Sequence, residues 1–560
     1  MKIIELIKKN WHLVLYFFLA VFSINPLLSP GFFPMHDDTQ VARVFEMGKS
    51  LLHGMIPVRW VEDLGYGFGY PIFNFYSVLP YYIGGILTIV GISALDSTKL
   101  IFIIALVGSG ASMFFLAKEF FGKLGGLGSA IIYLYFPYHA VNVYVRGDLA
   151  ETSAYAFLPL VFLSLFKIHE SSEISKKYII LGSLSIAAVI LSHNLSFFML
   201  FIFVGIFILI SIALTKSRKK LLSYGFLLVL AFLLSAFYSL PAIFEMRHTN
   251  IVSIIGGGSD FRDHFICINQ LWDSPWGFGG SAQGCVDGMS FKLGKLNILL
   301  SIFAFGLFLI NFKRNKDKLF LISFTLVSLL LSIFLTLEYS SILWRLPLMD
   351  FLQFPWRFLN FSGLFIALIA AFLIFQIKNL LGDRALYVSA FFIIALTLTY
   401  NNRLFEPKTI HDRESSYYTN ENYLKWTVSQ ISDEYLPRNF TKPSSEKSLR
   451  KSPFDIIKGG RDLEVLVNKT QENRARINLS EDGTIRANIA YFPAWKIYVD
   501  DHEVSYIVKE DGLYINLSEG EHTLMTKFAQ TLIEKVGNLL SLIGLLGIII
   551  VIIPYGKKAS

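Results

Sequence analysis

Charge and cysteine are both scarce in this chain. Only 16% of its 560 residues are Asp, Glu, Lys or Arg, and 54% are hydrophobic; soluble domains average about 25% charged residues. That deficit excludes a disordered protein and argues against a cytosolic enzyme. Two cysteines exclude a disulfide-rich scaffold and any thiolate zinc cluster. Also missing are a Gly-rich phosphate loop followed by Lys-Ser/Thr, a dinucleotide fingerprint and a His-Glu-x-x-His zinc motif. ATP-driven transport within the chain is therefore not expected. Gly256-Gly257-Gly258 reads only as a flexible turn, and no internal repeat or low-complexity segment is present.

What the chain does have is apolar runs long enough to cross roughly 30 Å of hydrocarbon. They fall near 11–28, 99–117, 125–143, 153–167, 178–192, 195–214, 221–241, 296–312, 319–337, 359–377, 385–400 and 533–554. The N-terminal run follows Lys8-Lys9 but lacks a small-x-small cleavage site, so it reads as an uncleaved span. The run 73–92 holds Pro80, Tyr81, Tyr82 and Gly84-Gly85, which suit a folded-back or interfacial helix. With a cytoplasmic N-terminus and 73–92 not crossing, six basic segments all fall inside: Lys118/Lys123, Lys167/Lys176/Lys177, Lys216 to Lys220, Lys313 to Lys318, Lys378/Arg384 and Lys557/Lys558. A crossing at 73–92 would put every one on the wrong side. The expectation is thus a polytopic α-helical protein of the cell membrane with about twelve spans. Its formal charge of +8 orients the chain and is no nucleic-acid signature.

The opposite, extracytoplasmic face then carries loops 29–72, 144–152, 242–295 and 338–358 and the hydrophilic segment 401–530. Three parts follow: a transmembrane module over 1–400, an outer domain over 401–530, and a last span with tail over 531–560. The outer domain is irregular at first. From about 462 it shows short alternating runs with turn signals at Asp482-Gly483, Asp511-Gly512 and, more weakly, Ser518-Glu519-Gly520, the pattern of a β-sandwich-like fold.

Several residues on that face could carry chemistry. His36-Asp37-Asp38 sets adjacent carboxylates beside a histidine at the membrane surface, suited to a general base or a metal; equally, Asp38 could cap a helix starting at Thr39. Arg146-Gly147-Asp148-Leu149-Ala150-Glu151 places two more carboxylates on the same face, or forms an Arg146–Asp148 or Arg146–Glu151 ion pair. Ser192-His193-Asn194 joins two spans almost without linker, and polar groups at that depth are costly unless they face a cavity or partners. His193 and Asn194 therefore stand as substrate contacts, or as a simple turn. Arg59-Trp60, Trp344-Arg345 and Phe354-Pro355-Trp356-Arg357-Phe358 pair guanidinium with aromatic groups, for phosphate recognition or for interface anchoring. Arg357 is the preferred phosphate ligand. Cys267 and Cys285 flank Trp272 to Gly280; a disulfide would close a loop worth roughly 3 kcal/mol in the chain-entropy model, or the two remain free thiols.

These features resemble the C-type (GT-C) membrane glycosyltransferase superfamily: an acidic motif after the first span, a second in the next outer loop, and an outer C-terminal domain. Further motifs are similar to the membrane family labelled 6-pyruvoyl-tetrahydropterin synthase-related: His36-Asp37-Asp38, Gly65 to Pro71 with Phe73-Asn74-Phe75-Tyr76, Pro80-Tyr81-Tyr82, and Gln353 to Phe358. The tail, Pro493 to Asp500 and Glu519 to Leu524 before a last span, is similar to YfhO-type membrane proteins. The resemblance implies transfer of a sugar from a polyprenyl-phosphate donor to a cell-envelope glycan, lipid or protein. Asp37 or Asp38 would be the base and Asp148, with Glu151, the second acidic position. Arg357, Arg146 or Arg59 would face the phosphate. A divalent metal on Asp37, Asp38 and Asp148 is left open, as are a flippase for lipid-linked glycans and a non-catalytic envelope scaffold.

Overall fold

The computed structural model describes residues 5, 9–251 and 260–552. Lys8, Gly256, Gly257, Gly258, Lys557 and Lys558, named above, lie outside them. The principal helices are α1 (Trp11–Leu28), α2 (Gln40–Leu52), α3 (Leu79–Ile89), α4 (Ala94–Leu134), α5 (Leu149–Tyr155), α6 (Leu158–Glu170), α7 (Lys176–Ser192), α8 (Asn194–Thr215), α9 (Arg218–Phe244), α10 (Lys295–Ile310), α11 (Leu319–Phe334), α12 (Leu359–Leu381), α13 (Asp383–Asn401) and α14 (Leu532–Ile552).

Nine helical segments among the described residues are long and apolar enough to cross a membrane. They take in ten of the twelve expected runs, because α4 is two helices back to back. At Gly122 the backbone leaves helical geometry with φ 75°. Gly126 then lies against Phe114 and Lys118. In one straight helix, twelve residues would separate Phe114 from Gly126 by about 18 Å, so the chain has reversed there. The other two runs, α7 and α10, have 17 and 16 residues, reaching roughly 24–26 Å. The 73–92 run yields only α3, whose 11 residues span roughly 16 Å, about half of the hydrocarbon thickness. The expected span 125–143 breaks earlier than its hydropathy suggests: α4 ends at Leu134, Pro137–Val141 forms a short helix and Asn142–Arg146 a π-turn.

Burial differs sharply among the spans. The apolar window of Pro355–Leu381 is 94% buried and that of Leu149–Glu170 83%, whereas the others range from 22% to 61%. These two helices form the centre of the bundle. Their starts carry Arg357 and Asp148, so the charged ends of the most enclosed helices meet at one end of the molecule.

The connecting loops gather at that end. Phe32 and His411 exchange backbone hydrogen bonds (2.9 and 2.7 Å), Val78 N–H donates to Leu191 O (2.8 Å), and Ala490 N–H donates to Phe68 O (2.7 Å). The last contact belongs to the β domain, which comprises β1 (Phe454–Lys469), β2 (Glu472–Ala487), β3 (Trp495–Val499), β4 (His502–Val504), β5 (Ile507–Lys509), β6 (Gly512–Leu517) and β7 (Gly520–Phe528). All seven strands join in one antiparallel sheet, ordered β4-β3-β7-β2-β6-β5 with β1 also on β2. Strand structure begins at Phe454, before the alternation becomes readable at 462. Asp482-Gly483 is no turn: it lies inside β2, where that strand passes from pairing with β7 (through Leu479) to pairing with β6 (from Gly483). Gly483 is needed there because a Cβ would collide with Lys458 O on β1. Asp511-Gly512 does turn between β5 and β6.

Arg59 is not delivered to the acidic site. Its side chain is buried between the module and the start of α14. It donates to Asn74 Oδ1 (2.8 Å), Phe237 O (2.9 Å) and Asn538 Oδ1 (2.8 Å), and its Nε lies 3.8 Å from Glu534. Glu534 in turn accepts from Asn74 Nδ2 and from Thr531 N–H, both at 2.8 Å. The neighbouring Trp60 is equally enclosed, its ring edge-on to Trp495 at 5.5 Å. The Arg-Trp pair therefore fastens the last helix and the β domain to the module and anchors nothing at a lipid interface. Removing one member of a buried ion pair costs about 3–5 kcal/mol. Arg59→Ala is expected to lower stability by about that amount and to expose α14 to protease, while Glu534→Gln, which keeps a carbonyl oxygen for Asn74 or Thr531, costs less; thermal unfolding in nanodiscs and limited proteolysis measure both.

Candidate active site

The two acidic motifs meet through the backbone. His36 N–H donates to Val145 O (3.2 Å) and Asp37 N–H to Arg146 O (2.9 Å), so residues 36–37 lie alongside 145–146. Gly147 makes the approach possible: its φ is +66°, and a Cβ there would strike Met35 Sδ. Gln40 Nε2, at the start of α2, donates to Gly147 O (2.9 Å). The chain then enters α5, whose N-cap is Asp148, with Oδ1 accepting from Glu151 N–H at 2.8 Å. Asp is among the favoured N-caps, so the same carboxylate that faces the site also starts the helix. Asp38 caps nothing: the residue before α2 is Thr39, without a side-chain cap.

Arg146 is the hub. Its Nη2 lies 2.8 Å from Asp148 Oδ2 and its Nη1 2.7 Å from Glu151 Oε2, so both of the alternative ion pairs form at once. Nη1 also donates to Asn142 Oδ1. Tyr138 and Tyr155 hydroxyls complete Glu151, donating to Oε1 at 3.0 and 3.4 Å. Glu151 and Asp148 are almost wholly buried. Buried carboxylates need hydrogen-bonded counter-charges, and these two have one between them. Arg357 stands behind, Nε 3.9 Å from Glu151 Oε2 and Nη1 donating to Leu352 O at 3.0 Å.

Asp37 is placed differently. Only half-buried, its carboxylate accepts no hydrogen bond and joins no ion pair among the described residues, although Asp148, Arg146, Arg43 and Arg357 all lie within electrostatic range. Burial, and then the charge of Asp148, raise its pKa; the three arginines act the other way without prevailing. Asp148 shows the reverse balance. Burial pushes it up, but Arg146, His193, the Glu151 N–H and Arg357 outweigh that and hold it at about 2. The pair is thus a fixed anion beside a proton-accepting one. Asp38 turns away, toward Arg413 and His411, and burial moves it up to about 6.

His193 joins the cluster from the α7–α8 junction. Its Nδ1 accepts from Ser196 N–H (3.2 Å), capping α8, and lies 2.8 Å from Ser196 Oγ; burial lowers its pKa, opposed by Asp148 and Glu151. Asp148, Glu151 and His193 each bring a ligand atom within 4.8 Å of the others, the one such trio among the described residues. The grouping differs from Asp37, Asp38 and Asp148. It also fits a divalent cation poorly, because Arg146 already occupies both carboxylates and supplies the positive charge that a metal would.

Other expected residues lie at the rim or outside. His36 is exposed, its Nε2 3.1 Å from Phe278 O. Asn194 is exposed and its Oδ1 accepts from Leu195 N–H, so it does not reach the cluster. Cys267 and Cys285 are joined as a disulfide with Cα atoms 5.5 Å apart. Arg43 is the main residue absent from the sequence reading. On α2 it donates to Ser432 Oγ (2.9 Å) and lies 4.3 Å over the Tyr76 ring, bringing a third guanidinium to Asp37. An arginine set among Val41, Ala42 and Val44 was the available signal. Tyr138 was hidden inside an apolar run.

Residues 73–254 match the family model of the 6-pyruvoyl-tetrahydropterin synthase related domain, a membrane-protein family. That stretch includes Arg146, Asp148, Glu151 and His193 but neither Asp37 nor Arg357. An uncharacterized protein of Lactococcus lactis subsp. cremoris (strain MG1363) is 25% identical over 360 residues, 61% of this chain and 54% of that protein; the chain thus matches about half of its curated relative's length. Among solved structures, arabinofuranosyltransferase AftD from Mycobacteria aligns with a TM-score of 0.49 and 13% identity, over 73% of this chain and 28% of AftD. Archaeal oligosaccharyltransferase AglB from Archaeoglobus fulgidus, solved with an inhibitory peptide and a dolichol-phosphate, aligns at 0.44 and 11%, over 80% of this chain and 62% of AglB.

Proposed function

We propose that the chain is a GT-C-type membrane glycosyltransferase. It would move a sugar from a polyprenyl-phosphate-linked donor to a hydroxyl of a cell-envelope acceptor on the extracytoplasmic face. One observation carries the reading: in a cluster where Arg146 satisfies the other carboxylates, Asp37 alone is left unbonded, partly accessible and raised in pKa. A general base requires that combination. Asp37 takes the proton of the acceptor hydroxyl as the oxygen attacks the anomeric carbon. The lipid phosphate departs toward Arg357, whose guanidinium keeps Nη2 free of protein partners among the described residues and can stabilise the leaving charge. Asp148 and Glu151 hold Arg146 in place. His36 stands at the rim and His193 beside Asp148 and Glu151. The flippase reading needs charged groups spaced along a path through the spans; here the span windows hold two charged residues at most.

Asp37→Asn is expected to lower kcat for transfer from polyprenyl-phosphate sugars in nanodiscs by about 10²–10⁴-fold, with the protein still folded. Full activity in that variant would reject the role. Chelation with EDTA is expected to leave the rate unchanged, since Arg146 fills the place of a cation.

The pH dependence has a definite sign. Asp37 acts only when ionised, and its pKa is raised, so the rate should climb with pH along an acid limb lying above the ordinary aspartate range. Asp148→Asn removes a like charge and releases Arg146 toward Asp37; both effects lower the Asp37 pKa, and Asn still caps α5. The acid limb of that variant should move to lower pH. A pH–rate profile that stays put or moves upward would contradict the assignment.

A further inference from the structure

The disulfide-closed loop reaches the catalytic arginines through a single indole. Trp356, at the entrance to α12, is buried, with Phe354 stacked on it at 4.9 Å and Phe291 at 5.6 Å. The Arg146 guanidinium lies 4.7 Å from the centre of its ring and that of Arg357 5.9 Å. Both guanidiniums therefore lie within cation–π range of one indole, and Arg357 also lies 5.0 Å from the centre of the Phe354 ring stacked on it. The only polar atom of the ring, Nε1, donates to Ser281 Oγ at 3.2 Å, and the same hydroxyl is 2.8 Å from His264 Nδ1.

Ser281 sits in the tip 280–288 of a hairpin at whose base Gly279 N–H donates to Gly288 O (2.8 Å) and Gly288 N–H to Gly280 O (2.9 Å). Cys285, exposed in that tip, is bonded to Cys267. Beside Cys267, Ile266 N–H donates to Thr336 O (2.9 Å) just past α11. The disulfide thus ties the tip to the helical bundle. The loop also touches the other acidic motif, through Phe278 O and His36 Nε2 at 3.1 Å.

We propose that Trp356 and Ser281 are positioning residues, through which the Cys267–Cys285 loop holds Arg146 and Arg357 over the acidic site. Without the tether, the indole loses its fixed partner and the plane under both guanidiniums is no longer set. Arg146 then holds Asp148 and Glu151 less exactly, and Arg357 no longer waits at the leaving phosphate. This rests on the transfer reading for its effect on rate, but not for the coupling of loop to indole.

The test uses the full chain in nanodiscs with 5-fluorotryptophan at its eight tryptophans, the Trp356 ¹⁹F resonance being identified by its loss in Trp356→Phe. A phosphine reductant cleaves the S–S bond to two thiols and takes up the oxygen of water as it becomes the phosphine oxide. On reduction the Trp356 resonance is expected to shift or broaden while those of Trp60 and Trp495 stay. Transfer should lose kcat by roughly 10–100-fold, as expected for misplaced groups, with KM little changed. Ser281→Ala should reproduce both effects and become insensitive to reduction, and Ser281→Thr, which keeps a hydroxyl, should restore them. An unmoved Trp356 resonance after both thiols are titrated overturns the proposal, as does a moved resonance with unaltered kcat. A moved resonance in protein that transfers from no donor removes the transfer reading and leaves the loop-to-indole coupling standing.

Discussion

Everything at the site depends on how one guanidinium is shared. Asp148 and Glu151 are carboxylates in an almost fully buried position, which is affordable only if each is paired and hydrogen-bonded. Arg146 meets both, one nitrogen each (2.8 and 2.7 Å). Because its charge is spent on two anions, the third carboxylate nearby, Asp37, is left without a direct partner. The asymmetry between a carboxylate held at about 2 and one raised above the usual range is a consequence of that arithmetic. A fourth anion or one fewer cation would make the cluster untenable; one more cation in contact with Asp37 would quench its basicity.

The folding of the loops serves the same arrangement. Residues 36–37 and 145–146 pair as a short bridge, held close by the missing side chain of Gly147. The two most enclosed helices of the bundle begin at Asp148 and near Arg357. Such helices cannot tilt or slide without repacking close-packed surroundings, so the charges at their starts are held to fixed separations. Preorganisation of this kind is what a site needs if charge developing on a leaving phosphate is to be stabilised without reorganisation.

Much of the architecture was legible because membrane spans are an additive signal: a long apolar run needs no knowledge of its neighbours. The reversal at Gly122 and the short α3 fitted that reading too. Readings that depended on a sequence neighbour failed where tertiary contacts decided. Arg59 beside Trp60 has the look of an interfacial anchor, yet Asn74, Phe237, Glu534 and Asn538 enclose it from segments far away in sequence. Asp482-Gly483 carries turn chemistry, but the glycine was needed for the close crossing of β1. Arg146 could be paired with its carboxylates from sequence, since all three lie within six residues. That it satisfies both at once, and so exposes Asp37, needed coordinates. Arg43 stood out only as a charge among Val41, Ala42 and Val44, and its relation to Asp37 runs through the fold of α2 against Tyr76 and Ser432.

The hydrophilic segment 401–530 has a part in this as well. Arg43 is fixed by Ser432, Tyr423 hydroxyl donates to Asp38 O (3.1 Å), and Phe32 pairs with His411. Residues 411–435 therefore contact the stretch that carries Asp38 and Arg43, whereas Arg146 and Arg357 come to Asp37 from other elements. Arg146 and Arg357 lie beside the Trp356 ring at the starts of the two most enclosed helices. Arg43 and the Asp38 backbone meet the hydrophilic segment, through Ser432 and Tyr423. Asp37 thus has two cations held by the starts of enclosed helices and a third held by the hydrophilic segment, so its charge environment depends on both parts of the chain, and this joint dependence, more than any single residue, is what the fold provides.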